Sequence, residues 1–249
     1  MDDDTLAARR ATFGPNAAAY AQHRPDYPAE AIRWALAGAT RPVRQVLDLA
    51  AGTGKLTGGL VTLGLEVTAV EPNPGMRAEF ARQHPGVPAL DGTAERIPLP
   101  DASVDAVLGG QAFHWFDLAR AFPECARVLR PGGVVAALWN TEDLRVEWVA
   151  ELNRVRQETH GDPWPHESGM PDFGEFEPFE VAHFDHAHRR TAESLTATIA
   201  TYSHAAVLPE PERKAVLDRV RGFLESRPEI AGGEFDLPLR TVVQRARRR

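Results

Sequence analysis

Apolar residues return along this chain in two alternating rhythms. From about residue 29, short apolar runs such as Val46-Leu47 and Val104 to Leu108 alternate with stretches whose apolar positions recur every three or four residues. The runs predict strands and the longer spacing predicts amphipathic helices. In chain order the pattern predicts helix 29–37, strand 45–49, helix 55–63, strand 66–70, helix 75–83, a short strand 87–90, strand 104–109, helix 118–129 and strand 134–139. Pro131-Gly132-Gly133 predicts a helix stop and a tight turn between the last two. Strands separated by single helices pair in parallel, because a parallel partner is reached only through a long crossover, so the expected fold class is a doubly wound α/β sheet.

Both ends depart from this rhythm. Residues 1–28 are polar and broken by Pro15, Pro25 and Pro28, with a short helix at 17–22, which predicts an N-terminal cap arm. After Asn140 a helix over 144–160 runs into a stretch holding Pro163, Trp164, Pro165 and Pro171, and segment 141–178 is expected to form a lid or insertion over the site. A strand near 179–190, helices 192–203 and 210–225, and a last strand near 239–244 follow, the two strands being expected to form an antiparallel edge pair. The late helices, 191–226, are candidates for lining an acceptor pocket. Length and pattern together suit a single domain over 1–249.

Composition narrows the partners. A formal net charge of -7 disfavours nucleic acid and anionic membranes and leaves a small molecule as the expected partner. The start MDDDTLAARR has no apolar leader region, and no apolar run approaches the roughly 18 residues of a membrane span, so a cytoplasmic location is expected. Cys125 is the only cysteine, which rules out an intramolecular disulfide and reads as a buried helix thiol. The terminal RARRR reads as a solvated or disordered tail.

The chemistry starts where Val46-Leu47-Asp48-Leu49 feeds through Ala50-Ala51-Gly52-Thr53-Gly54 into Lys55, a buried strand turning through glycines into a helix. Such a turn places a ligand at the helix N-terminus. A phosphate-cradling loop is disfavoured, since Leu49 stands at its first glycine position and Leu56 at its hydroxyl position. A dinucleotide fingerprint is weakened by β-branched Thr57 at its third small position. Asp48 would repel a pyrophosphate but suits a cationic ligand end. Glu71, 23 residues on at the tip of the second strand, can accept hydrogen bonds from ribose hydroxyls.

Four segments in order, VLDLAAGTGKLT, VTAVEPNPGM, DGTAERIPLPDASVDAVLGGQAFHWF and ARVLRPGGVVAALW, resemble the class I S-adenosylmethionine-dependent methyltransferases. Within that class the chain is similar to the methyltransferase type 11 group and to trans-aconitate methyltransferase-like proteins. The resemblance implies a seven-stranded, mostly parallel Rossmann-like sheet, with S-adenosylmethionine as cofactor and S-adenosylhomocysteine as product. It places Asp48, Ala50, Gly52, Thr53 and Gly54 around the methionine moiety, Glu71 and Pro72 at the ribose, and Met76, Thr93, Ala94 and Glu95 at the adenine. Thr93 stands where many relatives carry an acid. Gln111 completes the cofactor set, and Tyr20 and Arg24 of the arm are implied to reach the cofactor carboxylate, a role that the bidentate guanidinium of Arg24 suits.

The acceptor side is expected beyond the fourth strand, at Gln111, His114 and Trp115, with His114 as a candidate base; Trp139 and Tyr202 are further candidates for acceptor contacts, and Trp164, Phe173 and His204 for its walls. His183, His186 and His188 do not make a metal set, because strand alternation puts only the last two on one face. The expected reaction is O-, N- or C-methylation of a small molecule, with a carboxylate as one acceptor type. A nicotinamide-dependent oxidoreductase and a non-catalytic cofactor-binding module remain open at this point.

Overall fold

The computed structural model describes residues 17–157, 170–200, 202, 208–228, 230 and 233–249. Two helices, α1 (Ala17–His23) and α2 (Ala29–Leu36), precede the alternation of β1 (Gln45–Leu49), α3 (Lys55–Thr62), β2 (Glu66–Val70), α4 (Pro74–Gln83), β3 (Ala89–Leu90) and β4 (Val104–Gly110). Then come α5 (Leu118–Val128), β5 (Leu129–Glu142), α6 (Glu147–Gln157), β6 (Glu180–Thr191), α7 (Ala192–Ala200), α8 (Glu210–Glu225) and β7 (Glu234–Arg247). The seven strands form one mostly parallel sheet in the order β3-β2-β1-β4-β5-β7-β6. Val46 of β1 pairs in parallel with Val67 of β2 on one side and Ala106 of β4 on the other. The chain therefore reverses its winding between β1 and β4, and in open parallel sheets ligands bind outside the carboxyl ends of the strands at that crevice.

The chain divides into two compact units. One is built from Asp26–Asn140, Pro165–Phe184 and Thr241–Arg249. Its strands alternate side chains between two cores, Leu47, Leu49, Val107, Phe122, Trp139 and Phe176 on one face, and Val46, Ile32, Leu60, Ala106, Leu108 and Val243 on the other. Of the segment expected as a lid, residues 158–169 lie outside the described residues, while Phe173 stacks on Phe122 at 3.8 Å and Phe176 is fully buried beside it. Phe173 thus belongs to a core and not to an acceptor wall, and full burial of one such ring contributes about 1.5–3 kcal/mol.

The second unit takes Met1–Pro25, Thr141–Trp164 and Asp185–Arg240. Helices α6, α7 and α8 pack with β7 around Trp148, Leu152, Leu195, Ile199, Leu224 and Phe235. No described helix is long and apolar enough to cross a membrane.

Two expectations are corrected here. Pro131-Gly132-Gly133 is not a separate turn: α5 does stop at Val128, but β5 begins at once at Leu129 and carries the triplet as an irregularity. Leu129 pairs with Val104 and Val134 with Ala106, so the extra residues bulge from the ladder, with Gly132 at φ +76. Nor is the arginine-rich end a disordered tail. It continues β7, where Arg245 pairs with Glu180 and lies over the Trp34 ring, Arg247 pairs with Glu177, and Arg248 donates to the Leu129 carbonyl. A basic run is read as a tail from composition alone, whereas these carboxylates and this aromatic ring come from distant parts of the chain.

Candidate active site

The site grows from the tip of β1. Asp48 shares the Val46 face of the strand, is fully buried, and accepts a 2.6 Å hydrogen bond from the Thr57 hydroxyl of α3. Thr57, which sequence reasoning treated only as an obstacle to packing, is therefore what orients this carboxylate. The other oxygen, Oδ1, is buried with no partner among the described residues, as is the Thr53 hydroxyl. Burial raises the Asp48 pKa to about 7, against the lowering effect of Thr57 and with a further rise from the Glu71 charge.

Beyond Leu49 the backbone turns through left-handed conformations at Ala50 (φ 55), Gly52 (φ 58) and Gly54 (φ 92). A left-handed alanine is strained by about 1 kcal/mol or more and persists only where surrounding structure imposes it, which is typical of ligand-binding turns. Gln111, at the tip of β4, is the matching case at φ 54. These two residues flank the crevice between β1 and β4. Among the described residues nothing lies within 4 Å of where a side chain on Gly52 would begin, so with respect to them the turn opens onto free space. At Gly54 a Cβ would instead strike His84, whose Nε2 lies 3.0 Å from the Gly54 carbonyl. His84 closes the far side of the turn, and no motif in the sequence signals it.

Glu71 follows directly on β2 and is only 6% exposed. Its Oε2 accepts from the Gly52 amide at 2.9 Å and its Oε1 from the Asn73 amide at 2.8 Å. Burial pushes its pKa up, and these two amides pull it down. Each carboxylate oxygen keeps a lone pair for a further donor. Pro72 follows at the bend into α4. Asn73 caps α4 by accepting from the Gly75 and Met76 amides, which fixes Met76 in a buried position. Thr93 is exposed and pairs through its backbone with Arg96, Ala94 is buried, and Glu95 accepts from the Asp117 amide at 3.0 Å.

At the tip of β4, the Gln111 side chain donates to the Asn140 carbonyl at 2.7 Å. Asn140 is a second residue the sequence did not single out: its side chain donates to the Asp26 carbonyl and accepts from Thr241. His114 sits in a single 3-10 turn, Phe113–Trp115, with its ring 4.9 Å from that of half-buried Trp115. Trp139 is 1% exposed, a core residue and not an open wall, and its indole N–H donates to His114 Nδ1 at 3.4 Å. An indole nitrogen only donates, so Nδ1 accepts and the proton of the neutral imidazole stands on Nε2.

The remaining candidates belong to the second unit. Tyr20 lies in α1, its side chain outside the described residues, as are Trp164 and His204. The Arg24 guanidinium stands 4.2 Å from the Tyr202 ring centre, and the Tyr202 hydroxyl donates to Glu142, which Arg156 also holds through two bonds of 2.6 and 2.7 Å.

A family model described as a methyltransferase domain matches residues 47–137. An uncharacterized methyltransferase of Mycobacterium tuberculosis is 45% identical over 239 residues, covering 94% of this chain and 95% of its own. A malonyl-[acyl-carrier protein] O-methyltransferase of Methylococcus capsulatus is 42% identical over 120 residues, 44% of this chain and 43% of its own. Among solved structures, one proposed to be a type II methyltransferase, from Anaeromyxobacter dehalogenans, superposes with a TM-score of 0.66 at 28% identity, covering 90% of this chain and 96% of its own.

Proposed function

The chain belongs to the class I S-adenosylmethionine-dependent methyltransferases, and from that membership we propose that the turn after β1 and the tip of β2 hold the cofactor for methylation of a small, acidic acceptor. The residues present fit that cofactor. Among the described residues, Asp48 Oδ1 and the Thr53 hydroxyl are buried without partners and the space over Gly52 is open. A buried polar group without a partner costs about 1–3 kcal/mol, which a ligand donor would recover. When bound, the cofactor supplies an electrophilic methyl group on a sulfonium. Asp48, Ala50, Gly52, Thr53 and Gly54 surround its amino-acid end, and the Asp48 carboxylate attracts the positive charge there. Glu71, already fixed by two amides, accepts from the ribose hydroxyls through its remaining lone pairs, with Pro72 beside it. Met76 and Ala94 give the adenine an apolar seat, and Thr93 and Glu95 its polar edge.

On the acceptor side, Gln111, His114 and Trp115 are proposed to position the nucleophile, in keeping with the small dedicated chemistry that an activated methyl group needs. His114 takes the role of hydrogen-bond donor in place of the base first expected, because Trp139 holds the Nδ1 lone pair. An already ionised acceptor, such as a carboxylate, needs no base, and the similarity over 120 residues to a protein named malonyl-[acyl-carrier protein] O-methyltransferase supports that acceptor type. A pH–rate profile at saturating donor and acceptor with a limb in the ordinary histidine range would overturn the donor role.

The observation that carries the cofactor assignment is the Glu71 carboxylate clamped to Gly52 at the open turn. Calorimetric titration with S-adenosylhomocysteine tests it: Glu71→Ala should weaken binding about 10- to 100-fold, since charged hydrogen bonds of roughly 1.5–3 kcal/mol are lost. Unchanged affinity in that variant would reject the assignment.

A further inference from the structure

The turn after β1 carries two glycines in left-handed conformations, Gly52 at φ 58 and Gly54 at φ 92. Glycine has the widest choice of backbone conformations, so a turn built on two of them keeps one shape only where its neighbours hold it. On the side of β2 the Ala51 amide donates to the Val70 carbonyl at 3.1 Å and the Gly52 amide donates to Glu71. Within the turn the Gly54 amide donates to the Ala51 carbonyl at 2.9 Å. The Gly54 carbonyl is tied elsewhere, to His84 just past the end of α4, whose Nε2 lies 3.0 Å away.

His84 is half-buried and its ring fills the space that a side chain on Gly54 would need. One turn along α3, a Cβ on Gly58 would lie 3.6 Å from the same ring, in ordinary van der Waals contact. On its other side the ring tilts by 52° against fully buried Phe80, with centres 5.2 Å apart, and the His84 amide donates to the Phe80 carbonyl at 2.8 Å, so that both backbone and ring are fixed. A carbonyl oxygen only accepts, so Nε2 is the nitrogen that carries the proton in this contact. The same carbonyl accepts the Gly58 amide at 3.0 Å, the first hydrogen bond within α3, and both its lone pairs are thereby used. Loss of the imidazole bond would leave α3 closed and the carbonyl still paired, while the tie between α4 and the turn would be gone.

We propose that His84 is a positioning residue for the cofactor, holding Gly54 in its left-handed conformation through the single Nε2–H bond. Resting on the cofactor reading above, this assigns the rigidity of the turn to a residue outside the glycine motif. Segment 71–84 then serves the site at three places, with Glu71 ahead of α4 on Gly52, Met76 in its first turn at the adenine seat, and His84 beyond its last residue on Gly54. A ligand that must first order its own binding loop loses affinity to that ordering, so the contribution of His84 is expressed in binding more than in fold stability.

Calorimetric titration of the full chain with S-adenosylhomocysteine tests this through three substitutions. His84→Leu occupies the slot without a donor and should weaken binding about 3- to 10-fold, the range of one neutral hydrogen bond. His84→Gln carries an amide N–H at about the reach of Nε2 and should bind within roughly 2-fold of the wild type. His84→Asn, one methylene shorter, should weaken binding as the Leu variant does. Without ligand the three variants should melt within about 3 °C of one another, so a difference in affinity among them is not a difference in folding. Wild-type affinity in His84→Leu would overturn the proposal, as would a Gln variant that binds no better than the Asn variant, which would leave His84 as packing alone. Should His84→Leu not fold, the contrast between Gln and Asn decides. A wild-type chain that does not bind S-adenosylhomocysteine would reject the cofactor reading itself, whereas weakened binding in Glu71→Ala with none in His84→Leu would reject this inference alone.

Discussion

At the scale of single residues, the sequence exposed the groups that carry charge at strand tips and hid those that orient them. Asp48 and Glu71 were legible because an acid at the end of an apolar run has few structural uses. Thr57, His84 and Asn140 were not, since each acts through a contact with a segment whose position only the fold determines. Asp48 also yields a pH prediction. Its pKa is raised from 3.8 to about 7 in the folded protein. The folded chain therefore binds the extra proton between those values, stability falls as pH rises through that window, and above it the destabilisation, on the order of 4 kcal/mol, is fully present. Asp48→Asn should accordingly stabilise the ligand-free protein at about pH 8 and much less at about pH 5, as read by denaturant unfolding. S-adenosylhomocysteine carries an ammonium that favours the ionised carboxylate, so its binding to the wild type should strengthen from about pH 6 to pH 8, and the Asn variant should flatten that slope. A pH-independent wild-type affinity would show that Asp48 does not meet the ligand's charge.

Among the elements, β1, β2 and α8 fall at the residues that periodicity assigns, and the errors concentrate where a turn signal met a sheet. Pro131-Gly132-Gly133 has the local chemistry of a stop, yet pairing with β4 pulls it into a strand, and the last strand is far longer than its apolar stretch suggested because its outward positions are arginines held by carboxylates. Helix α4 behaves as its sequence indicates: Asn73 and Pro74 supply a cap and a first-turn residue with no amide to satisfy. Asn73→Ala should cost about 1 kcal/mol of stability, equivalent to a drop of roughly 2–4 °C in Tm. Because the same side-chain cap seats Met76, S-adenosylhomocysteine affinity should fall with it. Lost stability without lost affinity would separate the cap from the site.

For the molecule as a whole, no periodicity or motif signals that the chain interleaves two units. The arm, the helix after β5 and the late helices were read as separate additions, yet they gather in one unit, while 165–184 and 241–249 return to complete the other. Such pairings join residues far apart in sequence and leave no periodic trace. Phe176, Val243 and Ala246 come from those returning segments and sit fully or almost fully buried in the cores beside β1 and β4. A fragment spanning 26–140 holds every residue proposed to hold the cofactor, but it should lack fixed near-ultraviolet dichroism and S-adenosylhomocysteine binding, and full binding by the fragment would refute this. The left-handed Ala50 and Gln111, just beyond the ends of the adjacent strands β1 and β4, carry a last implication. Their peptide dipoles are locked in direction by the scaffold before any ligand arrives, so charge that shifts during methyl transfer meets an environment that has no need to reorient, as water would.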